Sequence, residues 1–330
     1  IGRRPPLLIG LLVYFLASLL AGFATSLEML IFARTIQGLG AAMAIVVIMS
    51  MVRDVASGTQ AAQLYALLNT IVALGPIVAP ALGGLLGAAY GWQGIMIFLG
   101  ILGLAVFLNS LFNIPETLFK QQRVALNLAN IFQSYANILK NKAFLLNLMA
   151  LSAVFFFFFA YIGGSAYVYQ KQFGLTAEQF GLVFGLTSVS LICGALSSAY
   201  LVKKIKVNQL ALIGAVLMTL SGLSCVAAEI LHWGLPGIVC SIALALFGLG
   251  ILEATLMAIA METQTTTLGS TAALLGAIPM VLASTATPIA GALVEISSVY
   301  WLSLLGAISP LILILVYFGS RTKVAHVSLK

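Results

Sequence analysis

Few residues in this chain have side chains that could do chemistry, and the ones that stand out lie inside apolar runs. Arg34 sits in LIFARTIQGLGAA (30–42). An arginine at the centre of a membrane span costs roughly 2.5–3.5 kcal/mol on insertion scales, so it needs water or a partner. Gln37 and Gly38, three and four residues on, share its helix face and suggest a polar groove. Nearer the surface the same side chain could instead snorkel to the headgroups. Glu253, in FGLGILEATLMA (247–258), has no basic residue in its own run. A carboxyl so placed either takes up and releases protons or is bonded to a neighbouring helix. Tyr161 and Tyr167 follow five consecutive phenylalanines, 155–159. The phenylalanines cover every helix face and read as packing, whereas the two hydroxyls are candidates for a ligand surface.

Other chemistry is not indicated. Cys193, Cys225 and Cys240 lie in apolar runs without metal or redox spacing, and read as small buried residues. His232 and His326 are far apart, and neither HExxH nor GxSxG occurs. No catalytic residue, metal or cofactor is expected.

These groups need elements to hold them. With 62% hydrophobic and 7% charged residues among 330, the chain lacks the polar shell of a soluble globule, where charged residues are about 25%. Ten apolar runs are near the ~20 residues that a spanning helix requires: 7–24, 29–52, 62–90, 93–112, 143–170, 180–202, 209–228, 235–261, 270–294 and 300–319. Counting alternate loops as one side, that side carries the lysines and arginines except Lys171, in an opposite loop, and Arg34, within a run. This asymmetry places both ends of the fragment in the cytoplasm. It accounts for the net charge of +7 without nucleic acid, the cations serving as topology determinants at the lipid surface.

The stretch GPIVAPALGG (75–84) carries Pro76 and Pro80 on one helix face with Gly83, Gly84 and Gly87. In water the prolines would break a helix. In lipid the helix persists, and the stripe without bulky side chains suits a close, bent helix contact. From Leu126 an apolar series at Leu128, Ile131, Phe132, Tyr135, Ile138 and Leu139 fits an amphipathic surface helix.

The chain also repeats itself. GLG at 38–40 recurs at 248–250, LIG at 8–10 recurs at 212–214, Pro80 and Gly83 recur as Pro288 and Gly291, and Trp92 recurs as Trp301. The offsets are 210, 204, 208 and 209 respectively, and parallel repeats of this kind mark transporters. Runs 143–170 and 180–202 have no partners in the first half. The expected organisation is therefore 1–112 as the remaining four helices of an N-terminal bundle and 113–142 as a cytoplasmic linker with its amphipathic helix. Residues 143–330 form a six-helix C-terminal bundle and short tail. Two helices are expected before Ile1, making ten of twelve present.

Several stretches resemble one family. GPIVAPALGG looks like the antiporter motif of the major facilitator superfamily, carried on the fifth helix of drug-exporting members. The resemblance implies that Gly75, Pro76, Pro80, Gly83 and Gly84 lie at the junction of the halves and seal the resting protein against leak. The Arg34–Gln37–Gly38 stretch resembles the fourth-helix motif, which implicates Arg34 in proton transfer. IGRRP (1–5) is similar to the tail of the loop motif between helices two and three. Arg53 and Asp54 match an Arg-Asp pair in the bicyclomycin-resistance (Bcr/CflA) drug-efflux branch, to which NIPETL (113–118) and GSTAALLGAIPM (269–280) are also similar. By this resemblance Arg3, Arg4, Arg53 and Asp54 form a charge cluster that holds the cytoplasmic side shut. A Pro-Asn element that the branch tends to carry near Glu253 is absent here.

The resemblance implies an all-α polytopic membrane protein with two pseudo-symmetric bundles, monomeric, in the bacterial inner membrane. Its expected activity is efflux of small amphipathic compounds by alternating access, with the proton gradient as energy source. The rivals are a solute importer of the same fold and a membrane sensor or scaffold that does not transport.

Overall fold

The structure, a computed structural model, describes residues 2–56, 58–118, 128–263 and 268–321. Within its helices the side chains of Arg53, much of 58–81, 128–132 and 268–269 lie outside that description. The regular structure among the described residues is helical, and it divides into two compact units, 1–126 and 127–330.

The first unit contains α1 (Arg4–Gly22), α2 (Leu27–Val55) and α3 (Gly58–Asn113). Pro5 and Pro6 open α1, where their fixed φ suits the first turn and two missing amides cost little. Ser26 caps α2, its hydroxyl accepting the Met29 amide at 3.2 Å. The long apolar stretch of α3 is divided by Gly91, at φ 67° and ψ −176°, a conformation essentially restricted to glycine. Two arms result, 58–90 and 92–113, corresponding to the expected runs 62–90 and 93–112. The prolines of GPIVAPALGG sit in backbone that stays helical, and the non-helical dihedrals of α3 occur at Gly91.

The second unit begins with α4 (Leu128–Leu139), the amphipathic helix, whose Ile138 is buried while Tyr135 and Leu139 pack on this unit's core. It continues through α5 (Lys142–Tyr167), extended by a π-helical turn at Val168–Gln172. Then follow α6 (Ala177–Leu201), α7 (Val207–Ile230), α8 (Gly234–Glu262), α9 (Leu268–Ser284), α10 (Ala286–Ile296) and α11 (Ser298–Arg321). Asn141 caps α5 by accepting the Ala143 and Phe144 amides, and Thr176 with Gln179 forms a reciprocal capping box on α6. The core gathers around α5, where Phe144, Leu148, Val154, Phe157 and Tyr161 are buried.

Nine helical stretches among the described residues are long and apolar enough to cross a membrane. Large side chains such as Ile31, Phe32, Val46, Phe112, Leu186 and Leu196 are exposed along them. So much apolar surface suits hydrocarbon rather than water.

Glycines set the helix contacts, and the same contacts occur in both units. A Cβ on Gly40 of α2 would meet the Gly10 carbonyl oxygen of α1 at 2.6 Å and the Tyr14 nitrogen at 2.7 Å. A Cβ on Gly248 of α8 would meet the Gly214 carbonyl oxygen of α7 at 2.9 Å and the Met218 nitrogen at 3.1 Å. Gly10 and Tyr14 correspond to Gly214 and Met218 at the offset of 204, so the contacts pair Gly40 with Gly248. That is an offset of 208, and it corrects the 210 suggested by the GLG tripeptides. Gly38, which the tripeptide would match to Gly248, has nothing within 4 Å of an added Cβ. A third pair has exchanged partners: Gly22 meets Ile97 at 2.8 Å in one unit, and Gly306 meets Val226 at 2.7 Å in the other.

Candidate functional site

Within the first unit, the residues that could act fall into two clusters. Arg34 lies on the exposed side of α2, and its Nη1 donates to Gln37 Oε1, one helical turn on. Gln37 is 2% exposed, and its Nε2 donates to the Ser18 hydroxyl of α1. Ser18 in turn donates to the Tyr14 carbonyl of its own helix at 2.6 Å. Across from them, Met96 Sδ of the second arm of α3 lies 4.0 Å from Arg34 Nη1. The spacing of Arg34 and Gln37 is visible in the sequence. Ser18 is not, because it arrives from another helix through the Gly10–Gly40 contact.

The second cluster ties three helix ends. Arg3 pairs with Asp54 at the end of α2, Nε to Oδ2 at 2.8 Å, with Nη2 to Oδ1 at 3.4 Å. Thr117 donates its hydroxyl to the same carboxylate at 3.1 Å. Glu116 accepts the backbone amides of Arg3 at 2.7 Å and Arg4 at 3.3 Å. Because Pro5 and Pro6 carry no amide hydrogen, those two groups are the donors left at the start of α1, and a carboxylate there complements the helix dipole. Arg4 Nη2 donates to the Leu111 carbonyl at 2.6 Å, capping the last turn of α3 in exchange. Glu116 and Thr117 were not among the expected charge-cluster residues. NIPETL marked the end of a span, and nothing in its spacing shows that it returns to α1. The side chain of Arg53 lies outside the described residues.

Of the helix-junction motif, Gly75, Gly83 and Gly84 are described, while the side chains of Pro76 and Pro80 are not. A Cβ on Gly75 or Gly83 would meet nothing within 4 Å, and the same holds for Gly291, the repeat of Gly83. Among the described residues, the helix surface at Gly75 and Gly83 is open within its own unit.

The remaining candidates belong to the second unit. Glu253 is exposed on α8 and has no hydrogen bond or ion pair recorded among the described residues. Tyr161 is 0% exposed. Its ring stacks on Phe184 at 5.2 Å and its hydroxyl is 3.1 Å from Thr187 Oγ1, so it is an internal group rather than a surface one. Tyr167 is half-buried, with Lys171 Nζ over its ring at 4.5 Å.

The two ends of this unit differ in charge. Asn141 donates to the Thr263 carbonyl and Asn208 to the Ser320 carbonyl, bringing together the starts of α5 and α7 with the ends of α8 and α11. Lys140, Lys142, Lys203, Lys204, Lys206 and Arg321 gather at this end. At the other end Glu229 of α7 accepts from Gln172 at 3.2 Å and from Ser298 at 2.6 Å.

Comparison with known proteins agrees with this architecture. The chain is 29% identical to an uncharacterized MFS-type transporter YdgK of Bacillus subtilis, over 88% of this chain and 73% of that one. It is 26% identical to a bicyclomycin resistance protein homolog of Haemophilus influenzae, over 84% and 70%. The multidrug transporter MdfA of Edwardsiella ictaluri matches at 28% identity over 85% and 68%. A bacterial homolog to the human lysosomal transporter Spinster, solved inward-facing and unoccupied, superposes with a TM-score of 0.75 at 13% identity, covering 97% of this chain and 83% of that one. The family model described as Major Facilitator Superfamily matches residues 1–278. The chain belongs to that superfamily: a multi-pass membrane protein of a transporter family, not an enzyme.

Proposed function

We propose that this protein exports small amphipathic compounds, drugs among them, across the bacterial inner membrane in exchange for protons, by alternating access. The observation that carries the reading is Arg34, a guanidinium inside a spanning helix oriented by the buried Gln37. A charge maintained at such a place is a functional group by default. The printed names of the relatives from Haemophilus influenzae and Edwardsiella ictaluri support the substrate class. Glu253, exposed on α8, is the membrane acid we assign to proton exchange. The gathering of cations at one end of the second unit supports a cytoplasmic position for that end.

The test is accumulation of a lipophilic cationic dye in cells expressing the gene. Expression lowers accumulation, a protonophore reverses the effect, and Arg34→Ala abolishes it. Raised accumulation on expression would show import. Unchanged accumulation with Arg34→Ala equal to the parent would rule out the assignment of Arg34.

A further inference from the structure

A hydroxyl deep in the second unit is left over by the bonding around it. Tyr169 is 0% exposed, and its hydroxyl has no hydrogen-bond partner among the described residues. Burying such a group unpaired is costly, and folded proteins rarely tolerate it. Tyr169 lies in the π-helical turn at Val168–Gln172, where the Phe173 amide reaches back five residues to the Val168 carbonyl at 3.2 Å. Its ring meets Phe180 of α6 at 6.0 Å, Phe180 meets Phe184 at 5.6 Å, and Phe184 stacks on Tyr161 at 5.2 Å. This row of rings shuts the hydroxyl away from lipid and solvent alike.

The directions of the neighbouring bonds show what remains free. Thr187 has a single hydroxyl proton, which goes to the Phe184 carbonyl at 2.9 Å. Tyr161 therefore donates to Thr187 Oγ1 at 3.1 Å, and its own oxygen keeps accepting capacity. Tyr169 brings a proton without an acceptor, and Tyr161 brings an acceptor to which no described residue donates. The two side chains are close enough to interact electrostatically, yet they do not meet at hydrogen-bonding geometry. Cys225 of α7, also 0% exposed, interacts with both and adds a weakly accepting sulfur. Complementary groups that face one another beyond bonding distance are suited to a bridging water. Three partners is the usual number for a buried one.

We propose that the second unit holds a buried water molecule that accepts from the Tyr169 hydroxyl and donates to Tyr161 Oη and Cys225 Sγ. It joins the π-helical turn to α5 and α7 and gives the Tyr169 hydroxyl its partner. Neither Arg34 nor Glu253 takes part, so the inference stands independently of the transport reading.

Two measurements on the full chain test it. The first is water-edited solid-state NMR in lipid bilayers, with tyrosine labelled at Cζ and tryptophan at the indole nitrogen. Tyr169→Phe and Tyr161→Phe assign the tyrosine signals. Polarisation passes from water to Tyr169 Cζ, whereas Trp301, equally buried but bonded to the Ala160 carbonyl, receives none. The second is thermal unfolding of Tyr169→Phe, Tyr161→Phe and the double variant, each of which keeps its ring. Tyr169→Phe melts roughly 2–4 °C below the parent, the scale of one net hydrogen bond in a unit of this size. The double variant loses less than the sum of the single losses, because both hydroxyls share one bridge. Transfer to Tyr169 no greater than that to Trp301 overturns the site. Tyr169→Phe melting at or above the parent shows a hydroxyl with nothing to lose and overturns it as well. Losses that simply add overturn the bridge between the two tyrosines. Coupled losses without transfer from water mean a direct bond between the hydroxyls, and the water is then excluded.

Discussion

The two units carry the same helix contacts but are covered differently. In both, a glycine of one helix lies against the backbone of the preceding one, Gly40 on Gly10 and Gly248 on Gly214. In both, a tryptophan opens the last helix of the set. Trp301 is 0% exposed and donates its indole N–H to the Ala160 carbonyl of α5 at 2.8 Å, with Gly164 leaving room for the ring. Trp92 is 42% exposed and has no counterpart of α5 beside it among the described residues of its unit. The difference shows which parts of the repeat belong to the helix pair and which depend on a third helix. Close backbone approach takes only the helix pair, whereas burial of Trp301 also takes α5.

That comparison can be broken most directly at the tryptophans. Trp301→Ala should cost about 3–5 kcal/mol in detergent unfolding, because it opens a cavity and removes the indole bond to the Ala160 carbonyl. Trp92→Ala should cost less than Trp301→Ala, because that ring is 42% exposed within its unit. Equal losses would mean that the tryptophans are equivalent and that something covers Trp92.

The repeat register offers the next largest effect. Gly40→Ala and Gly248→Ala each press a methyl against a backbone oxygen, for about 1–3 kcal/mol apiece. Gly38→Ala meets open space and removes a helix-weakening residue, so it should be neutral or slightly stabilising in the same unfolding measurement. If Gly38→Ala were as harmful as Gly40→Ala, the offset of 208 would be wrong and the tripeptide match of 210 right.

The smallest effects separate the polar ties. Glu116→Ala strips a cap from the start of α1, removing the acceptor of the Arg3 and Arg4 amides, for about 1–2 kcal/mol. Glu229→Ala removes bonds from exposed or half-exposed side chains and should cost about 0.5 kcal/mol. Thermal unfolding of both variants beside the parent measures the contrast. A larger loss at Glu229 would place the stronger tie in the second unit.

Much of the architecture was readable in one dimension. Apolar runs of spanning length, the lopsided cations and the Pro-Gly stretch each follow from local composition. The spacing of Arg34 and Gln37 puts them on one face of any helix. What escaped that reading came from other helices. Ser18 reaches Gln37 across the α1–α2 contact, and Glu116 returns from the far end of α3 to the amides that Pro5 and Pro6 leave exposed. Tyr161, expected at a ligand surface, is covered by Phe184 instead. GLG gave a plausible but displaced register, because a glycine is equally easy to place at a contact or at a gap.

The sequence alone thus determined that this chain enters a membrane as many helices, that its halves repeat, and where a charge is carried inside the bilayer. Those properties depend on hydrophobicity, length and periodicity, which are local. Tertiary structure decided which glycine touches which backbone, which tryptophan is buried, and which serine aligns the arginine. Those outcomes depend on distances between helices, and a hydrogen bond or a contact at van der Waals range is settled by a shift of one or two residues in register.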